Sequence, residues 1–382
     1  MTPKTKDGHV WEPHTGFQKG LESDAVISPQ RSVSSTSKVF DVIVIGAGYA
    51  GLAAARDLSQ LSHSVLLIEA RDRIGGRTYT AKKDGATPRK LTHEEAGAMQ
   101  AKAWDMFVNV DGQFGRTICP LPHAQLDNPI VDRSTVENSD NFADVWLGYK
   151  LRDGQTALAK RMFEEAIGDG LEYAFSTQVK SISQDSSGDG PVTVTSSYGN
   201  KDIEFSPPLT QRRQDAISIG HVNQMTKVHA DVSNKELERW NGMRFPGVLM
   251  YGYGDGVLPN GDVHVVAFGA DERDTFIPEN NAAQTIEALN KIHPMDVKRL
   301  MLHNWATDPF SKGGPAWWQP GYMSKYQDEL QSRHGNVFFA SADWAHGWRA
   351  AIDGALEQGC LNAQVAHREV VASKKKAGGS KL

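Results

Sequence analysis

The sequence predicts an α/β fold organised around one strand–helix–strand unit near the N-terminus. Its first strand is Val42–Ile45, a short apolar run rich in β-branched residues, as expected for a parallel strand that is covered on both faces. Three glycines with the spacing Gly-x-Gly-x-x-Gly follow it: Gly46, Gly48 and Gly51. A second apolar run, Val65–Ile68, ends in Glu69. Together these features are typical of a βαβ unit that binds a dinucleotide.

The three glycines have different roles in such a unit. Gly46 allows the tight turn, Gly48 lets the backbone approach a pyrophosphate, and Gly51 allows the helix to pack closely on the strand. The helix, predicted over residues 52–61, would direct N–H groups and the positive end of its dipole at the phosphates. Glu69 lies where an acid accepts a hydrogen bond from a ribose 2′-OH, and its charge would repel the 2′-phosphate of NADP.

A second glycine pair follows this acid directly. Residues 70–77 read Ala-Arg-Asp-Arg-Ile-Gly-Gly-Arg, which places Gly75 and Gly76 among three arginines. Such a segment could contact the pyrophosphate again through backbone N–H groups and a guanidinium. Composition alone favours a charged surface loop, so the residues by themselves leave both interpretations open.

The two motifs together, Gly-x-Gly-x-x-Gly and then Glu-Ala-Arg-Asp-Arg-Ile-Gly-Gly-Arg, resemble those of the flavin amine oxidase family. The chain looks most similar to the soluble fungal, Aspergillus-type monoamine oxidases. The resemblance implies an FAD-binding Rossmann-like domain with a discontinuous α+β substrate domain, a monoamine-oxidase-like fold. It also implies FAD-dependent oxidation of small primary amines to imine and aldehyde, with O2 reduced to H2O2.

Composition and resemblance together divide the chain. The expected parts are an extended N-terminal arm (1–38), an FAD-binding domain (39–81, 150–205 and 312–372), a reduced substrate domain (82–149 and 206–311) and a flexible tail (373–382). Further helices are predicted over 94–108, 158–167 and 282–289, and one beginning at 347. Further strands are predicted over 172–182, 191–195, 218–232, 263–268 and 336–343. The glycine-rich run 251–256 is interpreted as a hairpin turn because no helix follows it.

Cofactor contacts are transferred from the family only where its motifs match. The matching positions are Gly46, Gly48, Gly51, Glu69, Ala70, Arg71, Gly75, Gly76, Arg77, Val179, Asp343 and Ile352. The resemblance implies that the Val179 backbone touches the adenine and that Asp343 binds ribityl hydroxyls. The helix beginning near Ile352 would stabilise negative charge on the reduced flavin. Gly314 stands where members with covalent flavin carry cysteine, so we expect non-covalent FAD.

Lys227 matches the lysine that holds a water against flavin N5 and assists reoxidation by O2 in the family. Without the resemblance, a solvated lysine on an exposed strand would be the ordinary interpretation. The alternation in this strand places Lys227, His229 and Asp231 on one face.

The aromatic pair that encloses the amine in monoamine oxidases is not matched. Pro315 and Ala351 occupy its two positions, and neither is aromatic. Trp317 and Trp318 lie close enough in sequence to supply one wall after a small local shift, and the second wall has no replacement.

The composition and the C-terminal residues restrict the class of protein and its cellular location. A net charge of −5 gives no basic excess for nucleic acid, and 382 residues suffice for two domains. Cys119 and Cys360 are too few for a disulfide framework, and we expect no membrane span because no apolar run approaches about eighteen residues. Ser380, Lys381 and Leu382 form a tripeptide that a peroxisomal import receptor reads, so we expect a peroxisomal location, otherwise a cytoplasmic one. Whether the protein forms a homodimer is not decided by the sequence.

Three family segments are not recognisable here: a Gly-Gly-x-Trp element that approaches the flavin, a helical bundle and a Thr-Ile-Pro-like strand. The alternative hypothesis is therefore a catalytically impaired or inactive truncated flavin-binding homologue. An NAD-dependent dehydrogenase would explain the βαβ unit but not residues 71–77 or the C-terminal helix. A demethylase is disfavoured by the peroxisomal tripeptide and by the absence of basic character.

Overall fold

The chain forms an α/β unit and a larger antiparallel sheet in a computed structural model. The structure describes residues 2–33, 38–81, 87–88, 154–188, 190–196, 202–222, 225–270 and 276–379. Within these ranges the helices are α1 (Tyr49–Gln60), α2 (Gly154–Gly168), α3 (Gln211–Ile219), α4 (Ala282–Ile292), α5 (Tyr322–Gln331) and α6 (Ile352–Gly379). The strands are β1 (His9–Glu12), β2 (Gly16–Lys19), β3 (Val42–Ile45), β4 (Val65–Ile68), β5 (Thr87–Pro88), β6 (Glu172–Ala174), β7 (Val179–Ser183), β8 (Thr193–Ser196), β9 (Glu204–Ser206), β10 (Met225–Val232), β11 (Asn241–Met243), β12 (Tyr251–Val257), β13 (Val263–Ala270) and β14 (Val297–Leu302).

Some predictions fall on residues outside these ranges. They are the helix over 94–108, Cys119 and the tripeptide at 380–382. In the part of the chain that is described, no helix combines the length and the apolar character needed to cross a membrane.

The predicted βαβ unit is confirmed. Strands β3, β4 and β6 form a parallel sheet in the order β3-β4-β6, and β3 and β4 have the predicted bounds. Helix α1 begins earlier than predicted, at Tyr49, because Gly48 is its N-cap residue. The helix packs on this sheet and on helices α2 and α6. Their shared core includes Leu52, Leu67, Phe163 and Phe175, each of which stabilises the fold by roughly 2 kcal/mol through burial.

The larger sheet has the strand order β11-β12-β13-β10-β14-β1-β2, with β5 paired to β12. One face of β10 carries Val228, Ala230 and Val232, which are buried against a core that includes residues of helix α4. The opposite face carries Lys227, His229 and Asp231, as the alternation predicts. A third, small sheet has the order β8-β7-β9.

The interpretation of residues 251–256 as a hairpin turn is wrong. They form most of strand β12, which pairs with β11 and β13. A Cβ at Gly254 would lie 2.0 Å from the carbonyl oxygen of Leu237, and one at Gly252 would lie 3.2 Å from the Trp240 ring. The glycines are therefore required by the close approach of the segment around Leu237 and not by a turn.

The N-terminal segment is more than an extended arm. Strands β1 and β2 form a hairpin, and β1 pairs with β14 so that His9 lies opposite Leu302. Residues 9–19 thereby contribute the last two strands of the larger sheet.

Four other elements differ from their predictions. The strand expected over 172–182 is divided between two sheets, as β6 and β7. Residues 218–222 are not a strand, because helix α3 extends to Ile219 and Gly220 follows it at φ +65°. Residues 336–343 contain only an isolated bridge between His334 and Val337, and a short 3-10 turn then begins at Ala342. Helix α6 starts at Ile352, later than residue 347.

Candidate functional site

Two glycine segments meet directly at the end of strand β3. The Gly75 N–H donates a 2.8 Å hydrogen bond to the carbonyl of Ala47. A Cβ at Gly76 would lie 3.1 Å from the Cα of Gly48, so the two backbones are in contact. The structure thus brings together the two motifs that the sequence analysis assigns to one pyrophosphate.

The turn before helix α1 has the form that an anion site requires. Gly46 has φ +99°, and a Cβ at Gly51 would lie 1.9 Å from the Gly46 carbonyl oxygen. Gly48 is the N-cap, and among the described residues no side chain accepts a hydrogen bond from the first turn of the helix. Its N–H groups and the positive end of its dipole are therefore suited to a phosphate.

Glu69 is buried at the end of strand β4 with its carboxylate fixed by the backbone. Its Oε2 accepts a 2.6 Å hydrogen bond from the N–H of Ala47, and its Oε1 accepts one of 2.7 Å from the N–H of Arg71. Each carboxylate oxygen can accept a further hydrogen bond, so this geometry is compatible with a ribose hydroxyl. The two bonds also tie the acid to both glycine segments.

Val179 and Ala70 lie beside this acid. The N–H of Thr177 donates a 2.9 Å hydrogen bond to the carbonyl of Glu69, which brings the chain before Val179 to the end of β4. Val179 itself is buried at the start of β7. Ala70 is half-buried between Glu69 and the arginine segment.

The Arg71 side chain forms ion pairs that the sequence analysis does not predict. Its guanidinium forms two hydrogen bonds with Asp308, of 2.9 and 2.5 Å, and a 2.9 Å ion pair with Asp7. Burial by itself would raise the pKa of Asp308, but hydrogen bonds from His303 and Arg71 and the charge of Arg71 hold it well below its usual range. Arg71 therefore fastens the segment to two distant loops, and only its backbone faces Glu69.

Arg73 reinforces the same fastening. Its fully buried guanidinium lies 3.8 Å from the centroid of the Tyr79 ring and forms a 2.8 Å ion pair with Asp7. It also donates a 2.7 Å hydrogen bond to the carbonyl of Gly76. The buried guanidinium of Arg73 thus stabilises the conformation of the second glycine segment.

Arg77 faces the C-terminal part of the chain. Its Nη2 lies 2.7 Å from Oδ1 of Asp343, so two predicted cofactor residues form an ion pair. Trp318 donates a 2.7 Å hydrogen bond from Nε1 to the carbonyl of Asp343, and its ring stacks on Tyr322 with centroids 4.4 Å apart. Trp318 therefore adjoins the cofactor residues, with one ring face covered by Tyr322.

Trp317 and Ile352 have less direct placements. Trp317 is 48% exposed, and its carbonyl accepts a hydrogen bond from the N–H of Val222. Its role in an aromatic wall stays a prediction. Ile352 begins helix α6, and Asp353 lies in the first turn, where its negative charge opposes the positive helix end.

Lys227 is exposed, with its Nζ 5.4 Å from the centroid of the Phe268 ring. The described contacts do not join it to the glycine segments, so its assigned role stays a prediction. Sequence reasoning missed His264, which lies opposite Asp231 on the neighbouring strand. The alternation of β13 was the available signal, because His264 falls on the face opposite Val263 and Val265.

These residues fit FAD at the adenosine and pyrophosphate end. The buried acid, the uncapped helix N-terminus and the two contacting glycine segments are what a dinucleotide requires. The fold and site thus define a dinucleotide-binding protein of the Rossmann type.

Comparison with known proteins identifies the family. Residues 133–367 match the model of the flavin containing amine oxidoreductases, and residues 44–107 match an NAD(P)-binding Rossmann-like domain. Since the first match spans more than half of the chain, the protein belongs to the flavin-containing amine oxidoreductase family.

Individual relatives agree with this assignment. A pseudooxynicotine dehydrogenase of a Pseudomonas species is 26% identical, over 84% of this chain and 84% of its own. The (S)-6-hydroxynicotine oxidase of Paenarthrobacter nicotinovorans is 24% identical, over 84% of this chain and 97% of its own. The structure of cyclohexylamine oxidase from Brevibacterium oxydans superposes with a TM-score of 0.61 at 17% identity, covering 87% of this chain and 100% of the other, which shows a shared fold.

The first of these alignments also shows that this chain is shorter internally. It extends over 437 positions, whereas 84% of 382 residues is about 320. More than 100 residues of that relative therefore have no counterpart here.

Proposed function

We propose that the protein is an FAD-dependent oxidase of small primary amines. The amine is oxidised to an imine that water hydrolyses to an aldehyde and ammonia, and O2 is reduced to H2O2. One observation carries the proposal: the two glycine segments that contact each other at Gly48 and Gly76 lie at the uncapped N-terminus of α1, within a chain of the amine oxidoreductase family. That arrangement is built for a dinucleotide, and the family uses it for a flavin.

Each part of the site has a distinct task in binding. The carboxylate of Glu69 would accept hydrogen bonds from the adenosine ribose, and the first turn of α1 would bind the pyrophosphate. Arg77 would add a positive charge near the phosphates, and Asp343 would bind ribityl hydroxyls. FAD, when bound, supplies the acceptor for a hydride from the carbon next to the amine nitrogen. Gly314 offers no thiol for a covalent link, so we propose that the cofactor is held non-covalently.

The sheet face that carries Lys227 is the proposed amine side of the site. Tyr251, Tyr253 and Phe268 lie on this face, with successive ring centroids 5.7 and 6.3 Å apart. Aromatic ring faces attract ammonium groups and exclude water, which suits the binding of an amine. Lys227 would hold the water that assists reoxidation by O2.

The substrate class is proposed from the resemblance and from the relatives. The chain resembles the soluble, Aspergillus-type fungal monoamine oxidases, and the cyclohexylamine oxidase named above is called after a compact primary amine. We therefore favour primary amines with a small apolar body. Trp317 and Trp318 remain the candidates for one aromatic wall.

A peroxisomal location is part of the proposal. An import receptor would read Ser380, Lys381 and Leu382, which follow directly on helix α6. An enzyme that releases H2O2 suits that compartment. The test is a fluorescent fusion at the N-terminus of the full chain, with and without the tripeptide. Loss of punctate fluorescence without the tripeptide supports the location, and identical distributions of the two fusions contradict it.

A specific observation supports the second candidate, an impaired flavin-binding homologue. More than 100 residues of the pseudooxynicotine dehydrogenase have no counterpart in this chain, and such losses could remove walls of the substrate cavity. The two candidates differ in turnover and not in cofactor.

The experiment that separates them measures H2O2 and the carbonyl product formed by the purified protein, which is an aldehyde from butylamine or benzylamine and a ketone from cyclohexylamine. Equal amounts of both products from at least one amine support the oxidase. A protein that retains flavin but forms neither product from the panel supports the impaired homologue.

A further inference from the structure

Three ionisable side chains form a hydrogen-bonded chain on the sheet face that carries Lys227. Oδ1 of Asp231 lies 2.7 Å from Nδ1 of His264, and Nε2 of His264 lies 3.0 Å from Nδ1 of His229. The register explains the first contact, because Asp231 and His264 are directly opposite each other on β10 and β13. The family motifs assign no function to these three side chains.

The three groups differ in burial. His229 is half-buried, whereas His264 is fully buried and Asp231 is 4% exposed. The hydrogen bonds therefore lead from a partly accessible imidazole to two buried groups. A buried carboxylate is costly unless it is hydrogen-bonded, so Asp231 must be expected to keep its bond to His264.

The chemistry of the three groups fixes the direction of these hydrogen bonds when both imidazoles are neutral. A carboxylate only accepts, so His264 must carry its proton on Nδ1. Its Nε2 then has a lone pair and accepts from the Nδ1–H of His229. His229 is thereby held in the tautomer whose Nε2 is basic, the same logic by which a carboxylate orients a catalytic histidine through a single imidazole.

Several other charged or ionisable groups share this face of the described strands. They are Lys227 on β10, Tyr251, Tyr253 and Asp255 on β12, Arg299 on β14 and Glu12 on β1, whose Oε1 lies 3.8 Å from Nε of Arg299. Burial raises the pKa of Tyr251 to about 12, so its phenol is neutral at physiological pH. The positive charge of Lys227 would disfavour a second cation on this face, the bound ammonium and the imidazolium alike, and so favour release of the proton to water.

We propose that His229 accepts the proton of the substrate ammonium, and that His264 and Asp231 are positioning residues that hold its Nε2 in the accepting form. This inference rests on the amine oxidase function proposed above. In the step, an N–H bond of the ammonium breaks and an N–H bond forms at Nε2, which gives neutral amine and an imidazolium that later releases the proton to water. The step is needed because a protonated amine has no lone pair to assist removal of hydride from the adjacent carbon.

Two variants distinguish this role from a purely structural one. His229→Asn keeps an N–H donor near the position of Nδ1, so the bond to His264 survives while the basic Nε2 is lost. Asp231→Asn keeps the size of the side chain but can donate to His264, so it disturbs the tautomer. Anaerobic flavin reduction by butylamine is followed by stopped flow from pH 6 to pH 10 in the full chain with bound FAD.

For His229→Asn we expect reduction about 100-fold slower than wild type at pH 7.5. The rate should recover as the pH approaches the pKa of the amine, about 10, because the free amine then binds directly. A structural defect would not be repaired by raising the pH. A His229→Asn rate that follows the wild-type pH dependence would overturn the proposal.

A second measurement does not depend on turnover or on the folding of a variant. Nitrogen-15 NMR of the histidine rings in the wild-type chain should show neutral His229 protonated on Nδ1 and not on Nε2, and neutral His264 in the same tautomer. The opposite tautomer at His229 would overturn the relay. If no amine reduces the wild-type flavin at any pH, the proposed function itself fails, whereas reduction with an unchanged variant profile rejects only the role of His229.

Discussion

Nη2 of Arg77 lies 2.7 Å from Oδ1 of Asp343, although the two residues are 266 positions apart. Arg77 ends the second glycine segment, and Asp343 precedes the C-terminal helix. Their ion pair brings the N-terminal βαβ unit and the C-terminal block into direct contact. The predictions below test what individual residues contribute.

Gly48→Val should abolish flavin binding without unfolding the protein. Among the described residues, a Cβ at Gly48 would have only the Cα of Gly76 within 4 Å, at 3.9 Å, which is an ordinary contact. The added methyl groups would instead occupy the space that a pyrophosphate needs. Flavin per protein after purification and the thermal midpoint of unfolding are the two measurements.

Gly168→Val is the matched control, because a Cβ at Gly168 meets no atom within 4 Å. It should retain flavin. Stoichiometric FAD in Gly48→Val would mean that the pyrophosphate does not approach this glycine.

Asp343→Ala should weaken FAD binding about 10- to 100-fold, the loss expected for one charge-assisted hydrogen bond. Both partners of the Arg77 pair are partly exposed, so protein stability should change by less than about 1 kcal/mol. Titration of the apoprotein with FAD gives the affinity. Asp202→Ala, which removes a surface partner of Lys312, is the control; equal affinities in the two variants would remove Asp343 from the site.

Lys227→Met should slow reoxidation of the reduced flavin by O2 more than it slows reduction by amine. The expected cause is loss of a fixed positive charge beside the reacting oxygen. Stopped-flow measurement of the two half-reactions separates them. Lys298→Met, on another strand of the same sheet, is the control, and equal slowing of both half-reactions in Lys227→Met would contradict the assigned role.

Asp308→Asn should destabilise the fold by about 3 kcal/mol at pH 7, because it leaves the buried Arg71 without its bidentate partner. The pKa of Asp308 is lower in the folded chain than in the unfolded chain. Its stabilisation is therefore complete above the unfolded value and is lost as the pH falls below it.

Urea unfolding at several pH values tests both statements. Between about pH 5 and pH 3, wild type should lose more stability than Asp308→Asn. Asp328→Asn, which breaks an exposed ion pair with Arg212, should change little. Parallel pH dependences for wild type and Asp308→Asn would show that the carboxyl does not stabilise the fold by its charge.

The sequence predicts the local parts of this site well because their signals are local. The apolar strands, the spacing of Gly46, Gly48 and Gly51, and Glu69 at the end of β4 all lie within 30 consecutive residues. Backbone geometry alone fixes such a unit once the strands are recognised.

The side chains that act across long distances could not be found in this way. Arg71 has the appearance of a phosphate ligand in its motif, yet Asp308 and Asp7 determine where its guanidinium points. The glycines of β12 indicate a turn by composition, and only the packing of Trp240 and Leu237 shows why a strand contains them. In both cases the local sequence is compatible with either interpretation, and a tertiary contact decides between them.

The central claim is that this chain holds FAD and passes electrons from an amine to it. The most direct measurement is the visible spectrum of the purified full-length protein before and after anaerobic addition of butylamine, benzylamine or cyclohexylamine. We expect the bands of one oxidised flavin per chain, release of the flavin on denaturation, and bleaching by at least one amine. A colourless protein that takes up no FAD on incubation would contradict the account.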